Sequence, residues 1–278
     1  MKVKRTVRIV IVIILIALIG ISGIELWGIS AIYIKEAQTK DKLSAYRPVD
    51  PQNRANETES STQSAAPDAT ADNTDAEDDT GDTLSNEKER PVRKTINQNI
   101  ADLRNEINKA AVGWITIPDT HIDYPFVYCF DNDFYIRRDI YGASSQAGTL
   151  FMDQDCAVNL SDFNTIIYGH NMRNNTMFGD LPQFADDWFF NNNQYGTLLT
   201  QYDTYTLDIF AFMVVRSDDD IIYSPNGDRE TFFDYVKENA RNYREPDRSA
   251  NVVSLSACGY EFTDARLVVL ATLNTINN

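Results

Sequence analysis

The sequence predicts a mainly β domain with accessory helices, a barrel or a sandwich, preceded by segments that lie outside its core. Three observations carry that expectation. After Gly113 the chain breaks into short runs rich in β-branched and aromatic residues, separated by turn residues. Its 43 % hydrophobic content suits a folded chain but is unevenly spread, with most of the longest apolar run in the first 35 residues and almost no apolar side chains in the next long stretch. The net charge of -16 divides into about +4 over residues 1–50, -8 over 51–90 and -12 over 91–278. No part of the folded region therefore supplies the basic stripe that nucleic acid requires.

Lys2, Lys4, Arg5 and Arg8 precede Ile9–Ile34, which is apolar apart from Glu25 and closes at Lys35. A helix rises ~1.5 Å per residue, so about 20 residues cross the hydrocarbon core. Residues 9–34 are expected to form an uncleaved single-pass anchor, with 1–8 cytoplasmic and the rest of the chain outside the cell membrane. A cleaved signal peptide is the rival; the run exceeds a usual apolar signal region, and no small-x-small cleavage site follows it. Residues 35–94 are expected to be an acidic, disordered extracellular tether. From Pro51 to Arg90 there is one Leu, Leu84, and no aromatic residue, too little apolar surface to fold.

Residues 95–278 are expected to form the folded domain. Thr95 and Gln98 match a capping box, and Ile96, Ile100, Leu103 and Ile107 recur at helical spacing. Strands are expected over 113–117, 122–127, 149–152, 165–168, 205–215, 252–257 and 267–273. Ser224-Pro225-Asn226-Gly227 reads as a turn, and Phe232, Val236, Ala240 and Tyr243 as the apolar stripe of a second helix.

Chemistry-bearing residues are scarce. Two histidines exclude a multi-histidine metal centre, and the three cysteines are too few for a zinc knuckle or a disulfide framework. The acidic residues show no EF-hand spacing, and neither a metal nor a cofactor is expected. Cys258 ends a strand-like run and Arg266 opens the next one. If the two strands pair antiparallel, the seven-residue connection sets the side chains side by side at one sheet end. A guanidinium there favours the thiolate and can hold the oxyanion formed when sulfur attacks a carbonyl. His170 ends another strand, after Gly169, where an imidazole can serve as general acid and base. His121 lies in a turn, Pro118-Asp119-Thr120-His121, and receives no role. Cys129 and Cys156 adjoin acidic strings that raise a thiol pKa; their spacing leaves a disulfide between them open.

Together these strings resemble a family. Tyr168-Gly169-His170-Asn171-Met172, then Ser254-Leu255-Ser256-Ala257-Cys258, then Arg266 eight residues on, resemble the class B sortases, membrane-anchored cysteine transpeptidases of Gram-positive bacteria. Asp131-Asn132-Asp133-Phe134-Tyr135, Tyr141-Gly142 and Met177-Phe178-Gly179 add to the likeness, which spans the folded region. The resemblance implies an eight-stranded sortase barrel with an N-terminal helix and a helix inserted before the cysteine strand. It implies that Cys258 attacks a C-terminal sorting motif of an exported surface protein, with His170 as acid and base and Arg266 as clamp. A thioester would then pass to a peptidoglycan amine, or to a lysine of a pilin subunit. By the same resemblance Asn132 and Ile136 line the motif groove, and Ser256 touches the substrate backbone. One position departs from the family pattern: Ala257 stands where Thr is usual. On that residue alone rests the alternative of a non-catalytic, surface-anchored binding protein.

Overall fold

The structure, a computed structural model, describes residues 30–48 and 95–276. Among the described residues nine strands form one sheet: β1 (Ala111–Thr116), β2 (Asp123–Tyr128), β3 (Leu150–Met152), β4 (Asn164–Tyr168), β5 (Tyr195–Thr200), β6 (Thr204–Arg216), β7 (Asn242–Tyr243), β8 (Asn251–Cys258) and β9 (Ala265–Thr275). Their order is β5-β1-β2-β3-β4-β8-β9-β6-β7, and a further pairing of β5 with β6 closes the first eight into a barrel. Closure removes the free edges that an open sheet exposes. The two parallel pairs are β2–β3 and β4–β8; β7 is a two-residue addition to the outside of β6.

All seven strands read from the sequence are present, with ends displaced by no more than two residues. The eighth strand of the barrel, β5, carries Gly196, two threonines and two leucines, a composition with no strong strand signal. Pairing on both sides, with β1 and β6, makes it a strand. The core follows strand alternation. On β9, Leu267, Val269 and Ala271 face the barrel interior with Ile115, Phe126, Ile166 and Leu255. Val268 and Leu270 face the other side, where they meet Phe232, Phe233 and Val236. Burial on both faces explains why this strand reads as a continuous apolar run.

The helices correct the sequence reading in detail. Residues 30–43 form helix α1, followed by a turn at Ser44–Tyr46. Helix α2 spans Gln98–Asp102 and widens into a π turn, Leu103–Ile107. The expected capping box is not formed: the helix is entered through Asn97, without a side-chain cap, and the Thr95 hydroxyl accepts from Gln201 instead. Asn97 donates its amide to the carbonyls of Thr200 and Asp203, which ties the helix start to the β5–β6 turn. Ile100 and Leu103 are fully buried as expected, whereas Ile96 is exposed. Helix α3 (Asp187–Asn192) was not foreseen. Helix α4 runs Arg229–Asn239, where Asp228 accepts from the Thr231 N–H at 2.8 Å and caps it. The predicted stripe overran this helix: Ala240 turns extended and Tyr243 belongs to β7.

The anchor expected over 9–34 lies, apart from its last five residues, outside the described residues. Among the described residues no helix is long and apolar enough to cross a membrane. Residues 35–48, expected as the start of a disordered tether, are instead helix and turn packed on the barrel. Leu43 is buried with Ile100, Trp114 and Val127. Lys40 donates to the His121 carbonyl at 3.1 Å and sits 4.2 Å above the Tyr124 ring, and Arg47 pairs with Asp123 at 3.0 Å. The sequence reading missed this because from Lys35 to Leu43 only Ala37 and Leu43 are apolar, so the segment packs by borrowing a surface from the barrel.

Candidate active site

Strand register assembles the site. β8 and β9 pair antiparallel with Cys258 directly opposite Arg266, which is the juxtaposition expected from the seven-residue connection. β4 and β8 pair in parallel with Tyr168 opposite Ser256, and the Gly169 N–H donates to the Ser256 carbonyl at 3.0 Å. Two residues beyond each of these partners lie His170 and Cys258. The Asn171 side chain donates to the Cys258 carbonyl at 3.0 Å and fastens the two strand ends together. Histidine, cysteine and arginine thus converge on one cleft of about 270 Å³.

A backbone carbonyl orients the histidine. His170 Nε2 lies 2.6 Å from the Ile136 carbonyl oxygen. A carbonyl only accepts, so Nε2 carries a hydrogen, and in the neutral ring the lone pair sits on Nδ1. Ile136 belongs to a one-turn helix, Tyr135–Arg137, at the head of the long β2–β3 loop. Asp131 Oδ1 accepts from the N–H groups of Asp133 and Phe134, which organises that turn and holds the carboxyl below its usual range. Gly148, at φ +64°, passes so close to the carbonyls of Tyr135 and Ile136 that a side chain there would strike them.

Each residue expected in the groove lines this cleft: Asn132, Ile136 and Ser256 stand with His170, Cys258 and Arg266. Ser256 is 1 % exposed and its hydroxyl is shared with that of Tyr223 at 2.9 Å. Burial, ahead of every other effect, pushes the Tyr223 phenol up to about 12, so it stays protonated through the neutral range. Tyr223 and Tyr168 also line the cleft; in the sequence Tyr168 has a place in a motif but no role, and Tyr223 has neither. Tyr168 ends β4 and Tyr223 precedes the Ser224-Pro225 turn, and only tertiary contacts show that both face the site. Ala257 is 2 % exposed and packs with the interior apolar cluster. A methyl in that place leaves no unpaired hydroxyl to satisfy.

The other candidates fall away from the cleft. Cys129, Cys156 and Cys258 are all free thiols, and of the three only Cys258 is exposed. Burial, more than the neighbouring carboxylates, pushes the Cys156 thiol up to about 12. His121 Nδ1 sits 2.8 Å from the fully buried Asp180 carboxylate, a structural contact. An exposed thiol, an imidazole and a guanidinium at one sheet end can form an acyl-enzyme: sulfur attacks, the imidazole moves the proton, and the guanidinium holds the oxyanion.

A family profile described as the sortase domain matches residues 115–274, more than half of the chain. The chain belongs to the sortase family, class B. Sortase B of Listeria monocytogenes is 30 % identical over 192 residues, covering 66 % of this chain and 77 % of that protein. Among solved structures, Clostridium perfringens sortase B is 32 % identical with a TM-score of 0.58, over 64 % of this sortase and 99 % of that chain. A Streptococcus pyogenes class B sortase involved in pilus biogenesis is 31 % identical with a TM-score of 0.58, over 63 % and 97 %. This sortase is accordingly a cysteine transpeptidase, and its closed eight-stranded barrel is the family's fold.

Proposed function

We propose that this sortase cleaves a C-terminal sorting motif of exported surface proteins and transfers each protein to an amine of the cell wall. The observation that carries the reading is the shared register that brings His170, Cys258 and Arg266 to one cleft. Cys258 Sγ adds to the carbonyl carbon of the scissile peptide bond, and its proton passes to His170. Arg266 donates to the oxyanion. Collapse breaks the C–N bond, His170 returns the proton to the departing amine, and a thioester remains. The acceptor amine then adds to the thioester carbon, His170 takes its proton, and the thiol leaves with a new amide formed. The basic residues ahead of the apolar segment 9–34 support a membrane anchor with the catalytic domain outside.

A second acceptor is favoured by one comparison. The likeness to the Streptococcus pyogenes class B sortase involved in pilus biogenesis supports a pilin lysine as the attacking amine. Product analysis with a wall-type amine and with a lysine-containing pilin segment separates the two. For the reaction itself, a sorting peptide should leave a thioester on Cys258 that hydroxylamine releases as a hydroxamate. Cys258→Ala should abolish both cleavage and trapping; retained cleavage would sink the assignment.

A further inference from the structure

Asp153 follows β3, is 7 % exposed, and takes part in no step above. Its Oδ2 accepts two hydrogen bonds, from Asn132 Nδ2 at 3.0 Å and from the Tyr168 hydroxyl at 2.8 Å. Its Oδ1 accepts from the Asp155 N–H at 2.8 Å. Burial, with the charge of Asp153 second, pushes the Tyr168 phenol well above its ordinary range, so that hydroxyl remains a donor. A carboxylate offers only lone pairs, so the end of the Asn132 amide that faces it must be the NH₂. The opposite end agrees: Asn132 Oδ1 accepts from the Gln154 N–H at 2.9 Å. Neighbours of opposite polarity lock an amide whose two ends are otherwise hard to tell apart.

The lock has a chemical consequence for the cleft that Asn132, Tyr168 and Cys258 share. After its internal bonds, Asn132 keeps one N–H and one oxygen lone pair. An unmatched N–H is the costlier of the two to leave without a partner when a ligand covers it. We propose that Asp153 is a positioning residue for substrate recognition, holding Asn132 so that its free N–H donates to a carbonyl oxygen of the bound sorting peptide. The proposal rests on the reading of this cleft as the peptide site. It makes the substrate position facing Asn132 an acceptor, met by a backbone carbonyl or by an Asn or Gln side-chain oxygen.

The test uses the best-cleaved member of a library of quenched fluorescent pentapeptides, with Cys258→Ala checking the underlying peptidase reading on the same peptide. Asp153→Asn places a second amide against Asn132 and should lower kcat/KM about tenfold, mainly through KM, the value of roughly one hydrogen bond. The iodoacetamide rate at Cys258 should stay within about twofold, because nothing at the thiol changes. In an Asn132→Ala background, Asp153→Asn should cost less than about twofold more, since its effect acts through a side chain already gone. Equal losses in both backgrounds, or a parallel fall in alkylation, would overturn the proposal. Asn132→Asp tests the bond from its other end, where it sets a second carboxylate against Asp153 Oδ2. It replaces the donor by an oxygen and should raise KM by a similar factor, and an unchanged KM would also overturn the proposal.

Discussion

Cys258 differs from Cys156 by more than exposure. The Cys156 sulfur accepts from the Ile166 N–H at 3.3 Å and lies 3.7 Å from the Asn164 carbonyl, to which its S–H donates. With its pKa pushed to about 12 by burial, it stays a neutral thiol, which is a poor nucleophile. Iodoacetamide at neutral pH should therefore modify Cys258 in the folded protein at least ~100-fold faster than Cys156. Peptide mapping by mass spectrometry reads the two rates, and comparable rates would contradict the assignment. At Arg266 the guanidinium spends one N–H on the Ala265 carbonyl, at 3.2 Å. Its remaining donors form a planar fork that an ammonium cannot reproduce. Arg266→Lys should lower kcat/KM on the order of a hundredfold, the scale of losing an oxyanion donor; activity within threefold of wild type would remove the clamp role. The residues assigned to the reaction were legible in the sequence because each stands at one end of a short, strand-like string. Tyr223, Asn171 and Asp153 were not legible, because what they do depends on partners 33, 87 and 21 residues away.

Among the elements, β4 and β8 carry the site, since their parallel register sets histidine beside cysteine. The antiparallel β8–β9 pairing could be read from the sequence, because a short connection between two apolar runs leaves few other arrangements. The β4–β8 pairing could not, as more than eighty residues separate the strands and parallel neighbours need a long crossover. Gly169 is the point where that pairing meets the core. A Cβ there would collide with Leu150 Cδ2 and stand 2.7 Å from Phe178 Cδ2. Gly169→Ala should therefore cost roughly 1–3 kcal/mol of stability from overpacking. It should cost proportionally more activity, because relief of the clash moves His170 off the Ile136 carbonyl. Thermal melts paired with peptide-cleavage rates check both effects, and a destabilised variant of unchanged kcat would show that Gly169 serves packing alone.

At the scale of the whole molecule, the described residues that flank the acidic segment lie side by side. Arg47, just before residues 49–94, has its carbonyl 2.8 Å from the Asn99 side chain just after them, and Tyr46 donates to Glu106 at 2.7 Å. The segment leaves and rejoins the described structure at neighbouring points. While α1 is docked, the distance from residue 30 to the barrel is therefore set by α1 and does not depend on residues 49–94. Docking is held by Leu43 and by ionic contacts, among them Lys35 with the largely buried Asp139 at 3.4 Å. Fully burying one leucine contributes roughly 1.5–3 kcal/mol. Two deletions separate the parts. Removing residues 51–90 leaves six residues to join points already in contact, ample at ~3.3 Å each, and should leave the Tm unchanged. Removing residues 1–94 strips α1 from the barrel and should lower the Tm by roughly 4–8 °C, as expected for ~2 kcal/mol in a domain of this size. If both deletions shift the Tm equally, α1 does not hold the barrel and the acidic segment regains its role as the spacer.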